Sequence, residues 1–346
     1  MAKVVKAQLI DMHRIELYCN EQVIGTEKTA NFGVNINGKS CNLHEWNDTE
    51  EWDKGNVYEE IYKRTTIYVE EEMDIYHPEK IVVSISDAVK DILGNAVETK
   101  YVDHLSYNPF YNKFGMTKTG IRIKSSNLVS DEAYETLSKM VDVMLIKIPE
   151  IIKVLNKYHA EIAIYAPSEN AYDIPEHRIG SMILKRPVEG FGGIVEDPVT
   201  SVSEVNLLRI REGEHVTNYP NEMILAHEFA HAIHLIGINY LEDQTLANEI
   251  REAYKDAKTS GKWQNTYAIS NYEEYFATMT TIWFNVMAES ADGSWNGTRG
   301  PINKRDEMEK YDPKIYDIMK KIYTEDFFPA PWNETPRYFD MNGNKR

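Results

Sequence analysis

Residues 221–237, NEMILAHEFAHAIHLIG, place two imidazoles and a carboxylate inside a strongly apolar run. As a helix, this segment sets His227 and His231 one turn apart and about 40° around the axis, so both rings reach a single ion from one face. Glu228 lies beside that face. On a largely buried helix an unpaired carboxylate among Ala, Phe and Ile is costly. A cation opposite it removes the cost, whereas a core helix whose histidines only bond their neighbours leaves Glu228 unexplained. H-E-x-x-H therefore reads as a metal site in which His227 and His231 are ligands and Glu228 can take a proton from a water the ion activates.

A catalytic zinc takes three protein ligands and keeps one position open. His234 lies on the same stripe but one turn beyond His231, where reaching the same ion strains the geometry. The extended pattern with a third histidine after a glycine turn requires Gly at 234 and His at 237, and the chain has His234 and Gly237. His234 is thus expected to pack or support rather than to ligate. The better candidate is Glu274, in TYAISNYEEYFATMTTIWF. Asn271 followed three residues on by Glu274 also has the spacing of a capping box, and Glu273 stands in the same relation to Ser270. Spacing alone does not choose between Glu273 and Glu274. The two cysteines, Cys19 and Cys41, exclude a cysteine-based zinc cluster and allow at most one bridge, whose formation sequence cannot decide.

H-E-F-A-H, followed about forty residues later by Tyr267 and, seven residues on, by E-Y-F-A, resembles the catalytic domain of anthrax lethal factor and the related Pro-Pro endopeptidases, which are gluzincin metallopeptidases. The resemblance implies one Zn²⁺ held by His227, His231 and Glu274, with Glu228 as general base and Tyr267 as a catalytic hydrogen-bond donor. It also implies a peptide or protein substrate. The family often carries an acidic residue after the Ala of E-Y-F-A, where this chain has Thr278. Glu228 would pass its proton to the leaving amine, and Tyr267, a phenol of pKa near about 10, would donate to the oxyanion.

A length of 346 residues suggests two domains. Up to about residue 104 short Val-, Ile- and Tyr-rich runs (VVKAQLI, RIELYC, FGVNINGKSCNL, TTIYVE, KIVVSIS) alternate with turn signals at Asn37-Gly38 and Gly94-Asn95, as in an antiparallel sandwich. IVVSISDAVKDILGNAVET resembles the last strands of bacterial immunoglobulin-like modules. The expected fold class is multidomain: an all-β immunoglobulin-like sandwich over 1–106, a connection over 107–120, and an α+β zincin-like catalytic domain over 121–346. In the second domain a helix opens at Ser130. Further helices are expected over 220–236 closed by Gly237, 243–259 closed by Gly261, 271–287, and 313–323 opened by Asp312-Pro313. TSVSEVNLLRI alternates like an edge or near-edge strand, and 199–208 is the expected edge along which an extended substrate pairs. Gly190, Gly192 and Gly193 suggest a mobile loop over the cleft or a plain turn, and Trp263, Trp283 and Trp295 suggest core or domain contacts.

A net charge of −17 disfavours nucleic acid and anionic membranes, which are bound through clustered Lys and Arg. No stretch approaches 18 apolar residues, so no transmembrane segment is expected, and the first twenty residues lack a signal-peptide pattern. The immunoglobulin-like resemblance points to a secreted or cell-surface location and a surface partner for the first domain. Two other functions compete: a surface interaction protein with an inactive or structural zinc site, which has no use for Glu228, and a zinc hydrolase of non-peptide amides.

Overall fold

A computed structural model describes residues 1–45, 63–178, 184 and 186–346, a mixed α/β chain with several sheets. It divides into two compact units, Met1–Asn112 and Lys113–Arg178 with Lys185–Arg346.

The first unit holds two four-stranded sheets. One orders β10-β1-β2-β6, from β1 (Val4–Leu9), β2 (Arg14–Cys19), β6 (Arg64–Tyr68) and β10 (Ser106–Tyr107). The other orders β5-β4-β7-β9, from β4 (Phe32–Ile36), β5 (Lys39–Ser40), β7 (Ile81–Ile85) and β9 (Tyr101–Val102). A two-residue pair, β3 (Val23–Ile24) with β8 (Lys90–Asp91), accompanies them. Leu9, Ile15, Leu17 and Ile67 from the first sheet share one core with Val34, Ile81, Val83 and Ile85 from the second. The five runs seen in the sequence coincide with β1, β2, β4–β5, β6 and β7, because β-branched and aromatic runs bounded by turn residues favour strands; only β7 alternates strictly in burial. Asn37 and Gly38 both take positive φ (52° and 79°) in the β4–β5 turn, as the Asn-Gly signal requires. Cys19 and Cys41 are free thiols.

The second unit is built on a five-stranded sheet ordered β11-β12-β13-β15-β14, from β11 (Lys113–Met116), β12 (Arg122–Ser125), β13 (Glu161–Tyr165), β14 (Gly190–Phe191) and β15 (Val199–Ser203). β12, β13 and β15 run parallel, and both edges, β11 and β14, are antiparallel. The expected connection over 107–120 is therefore partly strand. β11 is an edge whose burial alternates over four residues without a β-branched side chain, so its own sequence gives no signal and its pairing with β12 makes it. Between β12 and β13 run α1 (Asp131–Leu145) and α2 (Pro149–Lys157). Ser130 caps α1 by accepting from Ala133 N (3.2 Å), and Leu137, Met140, Val141, Met144 and Leu145 form its buried stripe.

The segment after β15 departs from the expected alternating strand. All five β15 residues are buried, because the strand lies between β13 and β14, and the chain then turns into α3 (Glu204–Leu207). Ser203 Oγ, accepting from Asn206 N, caps that turn. The helical part comprises α4 (Ile224–His231), α5 (Thr245–Thr259), α6 (Tyr272–Trp283), α7 (Arg305–Tyr311) and α8 (Pro313–Ile322). α4 does not end at Gly237. It widens into a π-helix over Ala232–Ile238, and Gly237 serves packing: a Cβ there would stand 2.4 Å from Ile151 Cγ2 of α2.

Asp312, expected to open α8 as its cap, spends its side chain otherwise. Its carboxylate accepts from Trp263 Nε1 (2.8 Å), Tyr275 OH (2.7 Å) and Lys262 Nζ (3.1 Å), all against the face where Trp263 is buried. Trp283 is also core, whereas Trp295 is partly buried and stacks on Tyr311. Three donors converging on one buried carboxylate tie α6 to the start of α8. Asp312→Ala is expected to lower unfolding free energy by about 3 kcal/mol, because it strands those donors in the core. Urea denaturation followed by tryptophan fluorescence reads the change, and a loss under about 1 kcal/mol would show that the clasp contributes little.

Candidate metal centre

The start of α4 has no side-chain cap on Met223. It is held from α3 instead: Asn206 Oδ1 accepts from Ile224 N (2.9 Å), while Asn206 Nδ2 donates to Thr217 Oγ1 (3.1 Å), Tyr219 O (3.2 Å) and Glu222 O (3.0 Å). Fully buried Asn206 thus fixes where the H-E-x-x-H helix begins, a role hidden in the sequence because its stretch reads as strand.

Across from α4, Asn271 caps α6 by accepting from Glu274 N (2.7 Å). The capping-box spacing is real, but the Glu274 carboxylate does not return to the cap. Glu274 Oε2 stands 3.0 Å from His227 Nε2 and 3.7 Å from His231 Nε2. One donor atom from each of His227, His231 and Glu274 lies within 4.8 Å of the others. The tertiary structure thereby chooses Glu274 over Glu273, which stays outside this triad. Tyr267 OH donates to Glu274 Oε1 (3.0 Å), and the residue is half exposed. Its position is set from a loop, since Tyr267 N donates to Thr298 O (2.8 Å).

Two imidazoles and one carboxylate are a donor set that suits a divalent metal, and zinc above all. The electrostatics agree. Burial lowers the His227 pKa, but Glu274 and Glu228 overcome it and push the ring up to about 9, so the cluster favours positive charge at its centre. Burial, with the charge on His227, pulls His231 down to about 4. Burial raises Glu228 to about 7, with Glu274 and Glu222 adding to the rise and His227 opposing it. Burial and the Glu274 charge raise the Tyr267 phenol, which is therefore neutral at pH 7. Glu228 makes no hydrogen bond among the described residues, which leaves its carboxylate available.

Of the three glycines Gly190 is strand, while Gly192 and Gly193 follow it outside the strand and lead into the turn at 194–197. Gly190 and Phe191 are β14, and β14, not β15, is the sheet edge, since β15 is paired on both sides. The edge rests directly on α4. A Cβ on Gly190 would stand 2.9 Å from Glu228 Cγ and 2.5 Å from Ser201 O, and one on Gly192 would stand 2.6 Å from His231 Cβ. Only residues without a side chain let the strand come this close to the two functional groups. Glu189, just before it, anchors the strand by accepting from Thr217 Oγ1 (2.7 Å) and Asn218 N (2.6 Å).

His234 stays out of the triad, as expected. It is 0% exposed, packs on Phe276 (centroids 4.7 Å apart) and Tyr272 (5.2 Å), and neither ring nitrogen has a hydrogen-bond partner among the described residues. Sequence reasoning missed Glu222 and Arg299, joined by Arg299 Nε donating to Glu222 Oε2 (2.7 Å), because nothing in a linear pattern links residues 77 apart.

No protein-family model matches the chain, and no curated protein does. Among solved structures, domains 1–6 of the surface-layer protein SbsC match at 17% identity and a TM-score of 0.25, covering 34% of this chain and 15% of that one. The N-terminal part of the same bacterial S-layer protein matches at 17% identity and a TM-score of 0.24, covering 34% and 26%. Likeness at this level carries no argument about fold or role. Among the described residues no helix is long and apolar enough to cross a membrane.

Two expectations follow from this geometry. Gly192→Ala forces His231 aside and should weaken Zn²⁺ binding about tenfold or more in a chelator competition titration. An unchanged affinity would show that the strand has no hold on the ring. Burial, with His231 and Arg251 nearby, lowers the His234 pKa from 6.5 to about 3. The unfolded chain then takes up this proton at higher pH than the folded one, so the fold loses stability as pH falls from about 6.5 towards 3, by up to about 1.4 kcal/mol per unit. His234→Leu should flatten that acid limb relative to the parent in thermal melts, and parallel limbs would rule the residue out as its source.

Proposed function

We propose that the protein is a zinc-dependent endopeptidase, in which an immunoglobulin-like sandwich precedes a zincin-like catalytic domain, and that it acts outside the cell or at its surface. One observation carries the reading: the donor atoms of His227, His231 and Glu274 converge from two helices while Glu228, beside the histidine face, makes no hydrogen bond among the described residues. A Zn²⁺ held by these three residues supplies Lewis acidity, polarising the scissile carbonyl and acidifying water.

The chain's own groups do the rest. Glu228 accepts the proton of the attacking water and hands it to the leaving amine. Tyr267, neutral at pH 7 and at the open side of Glu274, donates its hydroxyl hydrogen bond to the developing oxyanion. Among the described residues no strand pairs with the outer side of β14, whose Gly190 stands against Glu228, and an extended peptide pairing with it would lie across the site. The acidic chain and the absence of a basic stripe in its sequence fit a polypeptide substrate better than a nucleic acid.

The decisive experiment incubates a peptide library with the zinc-loaded protein and with Glu228→Gln, reading cleavage by mass spectrometry and metal content in parallel. Glu228→Gln should keep one zinc and lose about 10²- to 10⁴-fold in rate. If both proteins bind zinc and neither cleaves at neutral pH, the peptidase reading is wrong.

A further inference from the structure

Elsewhere in the second unit lies a recess of about 530 Å³. Its walls come from the loop around 288–299 and the segment around 336–345, with Asn221 just ahead of α4. The same loop reaches the catalytic groups twice: Thr298 O holds Tyr267 N, and Arg299 holds Glu222, whose charge acts on both His227 and Glu228.

The recess is asymmetric in its hydrogen bonding. The side-chain carbonyl and carboxylate acceptors of Asn296 and Glu289 are engaged from within. Glu289 takes Tyr338 N (2.6 Å) and Phe339 N (3.2 Å), and Asn296 Oδ1 takes Thr298 N (3.1 Å) and Arg299 N (2.9 Å). Its donors are not. Among the described residues Lys345 Nζ, Asn296 Nδ2 and Arg299 Nη1 make no hydrogen bond or ion pair, and Ser290, 2% exposed, has a buried hydroxyl with no partner. A buried unpaired hydroxyl is costly, and a native structure rarely leaves one without a reason.

Donors without acceptors select a ligand that accepts without donating. A carboxylate does so and meets Lys345 at opposite charge, while the Glu289 carboxylate in the same wall already accepts from the Tyr338 and Phe339 N–H groups. On a chain of net charge −17, a recess whose unspent groups are cationic or donating is out of character with the whole. We infer that this recess is a specificity subsite for an acidic side chain of the substrate, with Lys345 supplying the charge and Ser290, Asn296 and Arg299 the donors. The inference rests on the peptidase reading and adds a substrate class to it: peptides carrying Asp or Glu at one fixed distance from the scissile bond.

A randomised decapeptide pool passed over immobilised full-length Glu228→Gln protein tests this without needing turnover. Retained peptides, sequenced by mass spectrometry, should be enriched about tenfold in Asp or Glu over Asn or Gln. Adding Lys345→Gln or Ser290→Ala in the same background should reduce that enrichment, while peptides lacking an acidic residue are retained as before. Lys345 is exposed and Ser290 bonds nothing through its hydroxyl, so neither change threatens the fold. Equal retention of acidic and amide peptides, or enrichment that survives both substitutions, overturns the inference. So does a Lys345-dependent affinity for inorganic phosphate with no acidic enrichment among peptides, which would make the recess a site for a free anion. Cleavage by the protein with Glu228 intact separates the two ideas: acidic enrichment without cleavage sinks the peptidase reading alone, and cleavage without acidic preference sinks the subsite alone.

Discussion

One constraint organises the second unit: a carboxylate on α6 must face two imidazoles on α4 across a buried gap of 3.0 to 3.7 Å. Two helices tolerate that arrangement only if both are held against electrostatic and desolvation costs by something other than the site itself. The surrounding structure supplies the hold. Asn206 fixes the start of α4, Asn271 the start of α6, and Asp312 pins the core face of α6 through Tyr275. Gly190 in β14 and Gly192 just after it lie against Glu228 and His231. The functional groups are thus set by buried hydrogen bonds on rigid elements, which is what precise chemistry requires.

The π-helix after His231 belongs to the same constraint. A regular α-helix carried through His234 would continue the stripe of His227 and His231. The wider turn leaves His234 in an apolar pocket between Tyr272 and Phe276, where its ring stays neutral and bonds nothing. Gly237 meanwhile lets this segment lie against α2. A residue that sequence spacing could take for a ligand is thereby kept from competing with Glu274.

Much of this was legible in the chain before folding was considered. The two histidines of the triad and Glu228 follow from helical spacing within an apolar run, and the first unit's main strands follow from Val-, Ile- and Tyr-rich runs between turn signals. The α1 stripe follows from its cap and period. What was not legible has a common cause. β11 and β14 are short edge strands whose residues carry no strand preference and are made by their neighbours. β15 is near-edge, one of the two readings its pattern allows, and is not the edge for a substrate, because a fully buried strand of small and β-branched residues looks much like one with a single buried face. Glycines at 190 and 192 looked like a loop because glycine's usual reason is backbone freedom, whereas here the reason is the absence of a Cβ.

The sequence by itself determined the chemistry available: two imidazoles on one helix face with a carboxylate beside it, an acidic chain, and cysteines too few to hold a metal cluster. These are local facts, set by residue type and the 3.6-residue period. The tertiary structure alone decided that Glu274 rather than Glu273 meets the histidines, that β14 is the edge above them, and that Arg299 and Tyr267 are carried to the site by one loop. Each depends on which groups packing brings together across tens of residues, and no local period encodes that.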